Sequence, residues 1–336
     1  MKTIKLLAAL FAANILICAC NNDSSANSGN DEMSRMAEQL KKDYFGLTCS
    51  DLEQRYYKGK VKSVKETKYN AYSKFGDVEI DTLISQKHVK YNEDGYITYN
   101  YYLDKNHYKG TYSYEYTYTY ENSDGKSVIN CFKDDTLFEK TVKSLNSRNF
   151  PIQTDIYNSN GELNERTKYK YDGNGRLSEK VTYNSNGKTR TRLNNIKYDA
   201  NGFPNRYTIY DFSYNDNKKE EKVTIHDLKN DEYGRILNET VTTDGKIEYL
   251  VTLKYKGDKR LSYTHTGFMN GEEDFKIEVQ YHDNYNEWIL DMKDGATNKE
   301  NRSEWEYDSN GNIIKVTEFV NGEPTSVIIT EFEYYE

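Results

Sequence analysis

Proline is scarce in this chain of 336 residues: it has only three, Pro151, Pro204 and Pro324. Few segments are therefore barred from continuous strand or helix pairing. Histidine is almost as rare, and His88, His107, His226, His265 and His282 share no metal-ligand or triad spacing. The pair His226-Asp227 is two letters of a catalytic dyad, and a strand or surface role is the plainer reading. There are four cysteines, and no zinc or haem spacing connects them. Export would permit a disulfide between Cys49 and Cys131. No phosphate-binding glycine loop, nucleophile elbow or H-E-x-x-H occurs. There is no basic stripe: 54 acidic residues face 46 basic ones, interspersed, which argues against nucleic acid as a partner. Apolar residues make up only 36% of the chain, so any core must draw on an unusual source.

That source is tyrosine, present 33 times. In "GTYSYEYTYTY" (110–120) it occupies Tyr112, Tyr114, Tyr116, Tyr118 and Tyr120. Strand side chains alternate between faces, so these five phenols share one face, with Thr117 and Thr119 on the other. Packing on one face of a sheet is the first expectation for the row, and a ligand platform is the second. Trp288 and Trp305 join the row as candidates for a binding face that stacks on sugar rings or packs against protein.

A repeat explains the composition. "YNEDGYI" from Tyr91, "YDGNGRL" from Tyr171, "YDANGFP" from Tyr198, "NDEYGRI" from Asn230 and "YDSNGNI" from Tyr307 recur with a period of about 26 residues. A second turn falls midway in each period, as at Asn160-Gly161, Asn186-Gly187, Asp244-Gly245, Asn270-Gly271 and Asn321-Gly322. Two strands and two turns fill one period. The expected fold is all-β: a long antiparallel meander of β-hairpin repeats, some eighteen to twenty strands, coiled or rolled because strand twist accumulates. Gly175, Gly202 and Gly311 are expected at positive φ, as is Asn149. Lys259 and Tyr285 fit that column poorly, so the turn there should shift to Gly257 and to Asn284 or Asn286.

The N-terminus is organised differently. Lys2 and Lys5 precede an apolar run that is too short and wrongly flanked for a membrane span, and it ends in "ICAC". This resembles a bacterial lipobox, which implies a signal peptide over 1–19 and a lipid on Cys20. Residues 20–32 read as a flexible tether. Met33, Met36 and Leu40 at helical spacing give a short helical cap within 33–56, and residues 57–336 form the β domain.

The Y-D-x-x-G-R-L unit resembles the YD repeat of the Rhs family over about 85–336, and the opening of the β domain is similar to small YD-repeat lipoproteins of the Bacteroidetes. The resemblance implies a sheet-building unit on an exported protein, lipid-anchored at the outer membrane and facing either the periplasm or the cell surface. Large Rhs shells cleave themselves at an Asp-Pro site. This chain has no Asp-Pro and no dissimilar C-terminal part, so toxin encapsulation is disfavoured. "DTL" at Asp81 and Asp135 resembles the O-glycosylation acceptor of Bacteroidetes exported proteins, which marks Thr82 and Thr136.

The expected function is non-enzymatic: a binding or structural scaffold for glycan or envelope protein, held to the membrane by its lipid. No cofactor or metal is expected, since "DSNGN" from Asp308 lacks the EF-hand register. The alternative is a hydrolase of extracellular polysaccharide or peptide with an unrecognised site.

Overall fold

The computed structural model describes residues 57–336 apart from 107–109, 124, 216–217, 258, 283–284 and 293–298. The expected signal peptide, tether and helical cap, with Cys20 and Cys49, lie outside the described residues. The strands are β1 (Val61–Lys74), β2 (Asp77–Tyr91), β3 (Ile97–Asn106), β4 (Gly110–Ser123), β5 (Lys126–Lys133), β6 (Thr136–Leu145) and β7 (Pro151–Asn158). Next come β8 (Leu163–Tyr171), β9 (Leu177–Asn184), β10 (Thr189–Tyr198), β11 (Pro204–Asn215), β12 (Lys218–Asn230), β13 (Ile236–Thr243) and β14 (Lys246–Lys256). The last are β15 (Lys259–Met269), β16 (Glu272–Tyr281), β17 (Tyr285–Met292), β18 (Lys299–Tyr307), β19 (Ile313–Val320) and β20 (Glu323–Tyr334).

Each strand pairs antiparallel with the strands before and after it in sequence. The last pairs back onto the first: Val64 sits opposite Phe332, Thr67 opposite Ile329 and Asn70 opposite Ser326. The meander thus closes into a ring. Closure satisfies the edge ladder groups that an open sheet would present to other chains. The seam is reinforced at one rim. There the Asn312 side chain accepts from the Lys58 N–H at 2.7 Å and donates to the Lys58 carbonyl at 2.8 Å.

The repeated motif builds that rim. The Asp172 carboxylate accepts the N–H groups of Asn174 and Arg176, each at 2.9 Å. Gly175 (φ 82) turns the chain and donates to the Asp172 carbonyl at 3.0 Å. Asn92, Asn146, Asp199, Asp231 and Asp308 organise the same five-residue turn. Asx side chains cap such turns because their oxygen reaches the backbone two residues on. Asn149 is at φ 62, and the irregular copy does turn at Gly257, at φ 58.

The motif's other letters lock neighbouring repeats. Tyr198 donates its hydroxyl to the Leu177 carbonyl at 2.7 Å, while the Arg176 guanidinium lies 4.3 Å over its ring. Tyr171 reaches Pro151 in the same way at 2.8 Å, and Arg235 covers Tyr255 at 4.3 Å. At the opposite rim, Phe75-Gly76, Asp244-Gly245, Asn270-Gly271 and Asn321-Gly322 have both central residues at positive φ, as tight hairpins require.

Register sorts the side chains onto two faces. One carries Tyr263, His265, Leu253, Ile277, Val279 and Trp305, all buried. This side holds the largest buried rings and is termed the inner face, although Val327, Thr67 and Val181 are buried on the other. The outer face carries cross-strand ion pairs such as Arg166–Asp155 at 2.7 Å, Lys65–Glu331 at 3.0 Å and Arg206–Asp227 at 2.9 Å, with Val181 and Val327 buried among its side chains.

Candidate functional site

All five tyrosines of the row point to the inner face. Across β3, Tyr112 sits opposite Asp104, Tyr114 opposite Tyr102 and Tyr116 opposite Asn100. Across β5, Tyr118 sits opposite Cys131 and Tyr120 opposite Ile129. The rings form a continuous strip. Tyr102 contacts Tyr112 at 5.9 Å and stacks on Tyr114 at 5.5 Å; Tyr114 meets Tyr116 at 5.2 Å, and Tyr116 meets Phe138 at 5.4 Å. Aromatic pairs at such separations contribute about 0.5–1.5 kcal/mol each beyond burial.

The strip is not covered. Tyr112 is 50% exposed and Phe138 49%, with Tyr114 and Tyr116 half-buried between them. Toward the Asx-turn rim the row closes. Tyr120 donates to the Ile97 carbonyl at 2.6 Å, and the Tyr118 hydroxyl hydrogen-bonds the Cys131 thiol and Asn100. Burial pushes the Tyr102 phenol up to about 12, helped by Asp104 and Tyr112. Burial first, then Cys131, raises Tyr118 further. These phenols are therefore neutral donors at physiological pH. Burial also raises the Cys131 thiol, which keeps it protonated. The Asn100 carbonyl oxygen is buried without a hydrogen-bond partner among the described residues. The strip therefore combines ring faces with the Asp104 carboxylate and an unfilled acceptor.

The remaining candidates separate. Trp305 is buried at 7% exposure opposite Val316, so it packs the inner wall. Trp288 lies in β17 between Val279 and Asn301, strands away from the row. Thr82 is exposed at a β1–β2 register shift and accepts from the Asn70 amide at 2.7 Å. Thr136 is exposed where β6 leaves its turn. His226 does not pair with Asp227, which faces outward onto Arg206. Its Nδ1 meets Glu239 Oε1 at 2.8 Å under the stacked Tyr207 ring. Among the described residues no three His, Cys, Asp or Glu side chains lie close enough to hold a metal ion.

Sequence reasoning missed Tyr102, Asn100 and Phe138 as members of the strip. Alternation in "YNYYLD" placed Tyr102 on one face of its strand, but only the β3–β4 register brings it to Tyr114.

No family model matches the chain, and no curated protein matches it. Among solved structures, a porin-like protein from Bacteroides uniformis is 12% identical, with a TM-score of 0.34, over 82% of this chain and 99% of that one. A porin-like protein from Bacteroides vulgatus is 10% identical, with a TM-score of 0.27, over 82% and 98%. The toxin structure TcdB2-TccC3 is 10% identical, with a TM-score of 0.19, over 77% of this chain and 21% of that one. Scores this low carry no argument about what this chain does.

Proposed function

We propose that this protein is a non-enzymatic, lipid-anchored scaffold of the cell envelope that binds an extended glycan along the Tyr102–Tyr112–Tyr114–Tyr116–Phe138 strip. The carrying observation is that this inner-face strip stays half-open, with Tyr112 at 50% exposure, while Tyr263 on the same face is at 2%. Ring faces suit the C–H faces of sugars. Asp104 accepts sugar hydroxyls, and the neutral phenols donate. Anchoring rests on the lipobox ending at Cys20, and the YD-like repeat supplies the scaffold.

The test is titration of the mature protein with soluble envelope and extracellular polysaccharides, using calorimetry and a glycan array. Binding that falls at least about tenfold in Tyr102→Ala and Tyr114→Ala, each still cooperatively folded at the assay temperature, supports the reading. A mature protein that binds no glycan, or variants that bind as wild type, overturns it. Mass spectrometry of Cys20 tests the anchor: an unmodified Cys20 thiol on the exported protein removes it.

A further inference from the structure

The β1–β2 hairpin outgrows the ring. Ladder pairing of β1 with β20 stops at Asn70, and that of β2 with β3 stops at Ser85. Beyond these points β1 and β2 pair only with each other among the described residues, through Ala71–Ile80, Tyr72–Glu79, Ser73–Val78 and Lys74–Asp77. A two-stranded ribbon alone is marginal in water. This one is also unusually apolar: Tyr72, Phe75, Val78 and Ile80 are 47%, 98%, 41% and 44% exposed. Those are four of the ten large exposed hydrophobic residues among the described ones, gathered on one tip.

The apex sharpens the point. Phe75 takes φ 55 in the two-residue turn, a conformation that glycine and asparagine adopt readily and bulky residues do not. At 98% exposure, no packing among the described residues offsets that cost. Among the described residues the edge of β2 from Asp77 to Ile84 has no ladder partner beyond β1, and residues 77–82 are all exposed. Asp77 and Glu79 share one face, Val78 and Ile80 the other, with Asp81 at the register shift beyond.

We propose that this free ribbon is a strand-addition site: β2 accepts, along its Asp77–Ile84 edge, an extended segment of a partner protein that alternates basic and apolar residues. Main-chain pairing supplies the affinity, and the alternating acidic and apolar side chains of β2 supply the specificity. Charge selects this occupant over two others. A second copy, paired antiparallel on the same edge, would set Asp77, Glu79 and Asp81 against their own kind. An anionic membrane surface would repel the same acids. Position agrees, because the ribbon stands at the rim opposite to residue 57, where the described chain begins.

The test uses the mature full chain and a fluorescent peptide, acetyl-Lys-Val-Lys-Thr-Lys-Val-Lys-amide, read by anisotropy. Wild type binds it, and a peptide with glutamate for lysine binds at least about tenfold more weakly. The triple variant Asp77→Lys, Glu79→Lys, Asp81→Lys inverts that preference while the ring melts as wild type. N-methylation of one alternate set of peptide amides abolishes binding, and methylation of the other set does not. The proposal is overturned by a wild type that binds neither peptide, by indifference to the charge reversal, or by indifference to both methylated sets. Sedimentation showing a dimer lost in the triple variant would instead assign the edge to a second copy. Flotation with vesicles of phosphatidylglycerol, lost in Phe75→Ser, would instead assign it to lipid. Either result overturns the proposal.

Discussion

Two stretches of the inner wall follow one construction rule and end in different states. In β14–β16, Tyr263 is 2% exposed among Leu253, Val251, Ile277 and Val279. In β3–β4 the row of tyrosines leaves Tyr112 at 50%. Both place large side chains at alternate positions of the same face. The difference is the filler. Branched aliphatics fit the gaps between rings and bring the wall to close packing. Tyrosine after tyrosine can only lean ring on ring, at 5.2–5.9 Å, and leaves the outer ring faces open. Tyrosine content therefore does not determine burial in this protein; the residues between the tyrosines do.

The largest expected effect breaks the closed stretch. Tyr263→Ala deletes a ring that is 2% exposed and strands the His265 Nδ1 it meets at 3.1 Å. Large aromatic deletions in cores cost about 3–5 kcal/mol, so the variant should lose that much in urea denaturation. Tyr114→Ala, half-buried between two rings of the open row, should lose less, about 1–2 kcal/mol. Equal losses would show that the two stretches are packed alike.

Next comes overpacking. A methyl at Gly267 would lie 2.2 Å from the Phe275 ring, so Gly267→Ala forces that ring out of the cluster around His265. The expected cost is about 1–3 kcal/mol, read as a lower midpoint in urea. A neutral Gly267→Ala would mean the closed stretch has slack.

Much of this architecture was legible beforehand, and the reason is local. The turns are written in five consecutive letters whose hydrogen bonds are made among themselves: Asp172, Asn174, Gly175 and Arg176 need no distant partner. The alternation of the tyrosine row is likewise a property of one strand. What stayed hidden depends on register and closure. Tyr102 reaches Tyr114, Glu239 reaches His226 and Asn312 grips Lys58 only once strands are aligned, and the last pair is 254 residues apart. That Trp305 is buried while Tyr112 is open follows from which residues fill the neighbouring strands. Single-strand patterns carry no such information. The overhang of β1–β2 was hidden for the same reason, since it is a difference between the lengths of neighbouring strands.

A smaller effect distinguishes the two stretches by pH. Burial lowers the pKa of His265 against the pull of Glu239, with Tyr263, Tyr249 and Phe275 packed around it. The folded value lies below the unfolded one, about 6.5, so the unfolded chain binds the proton first. The stability His265 contributes is therefore present above pH ~6.5 and is lost as pH falls through its lowered folded value. Urea midpoints should decline from pH 7 to pH 5 in wild type, and His265→Gln should flatten that decline. The Tyr114→Ala variant should decline as wild type does, because no histidine belongs to its strip. A slope unchanged in His265→Gln would remove the closed stretch as the source.

The smallest effect is the sharpest statement of the comparison. Tyr112 ends the strip at the hairpin rim, half exposed; among the described residues its ring meets that of Tyr102 at 5.9 Å with a 45° tilt, and the two side chains hydrogen-bond. Tyr112→Ser should therefore cost no more than about 1 kcal/mol in stability, read from the urea midpoint. The same change shortens the aromatic strip by one ring at its open end. If the strip is a platform, a glycan that spans it should bind more weakly in Tyr112→Ser while the protein melts as before. If the strip is only an unfinished core, neither stability nor binding should move. Because Tyr112 contributes so little to the fold, it is the residue at which those two meanings of an exposed tyrosine can be told apart.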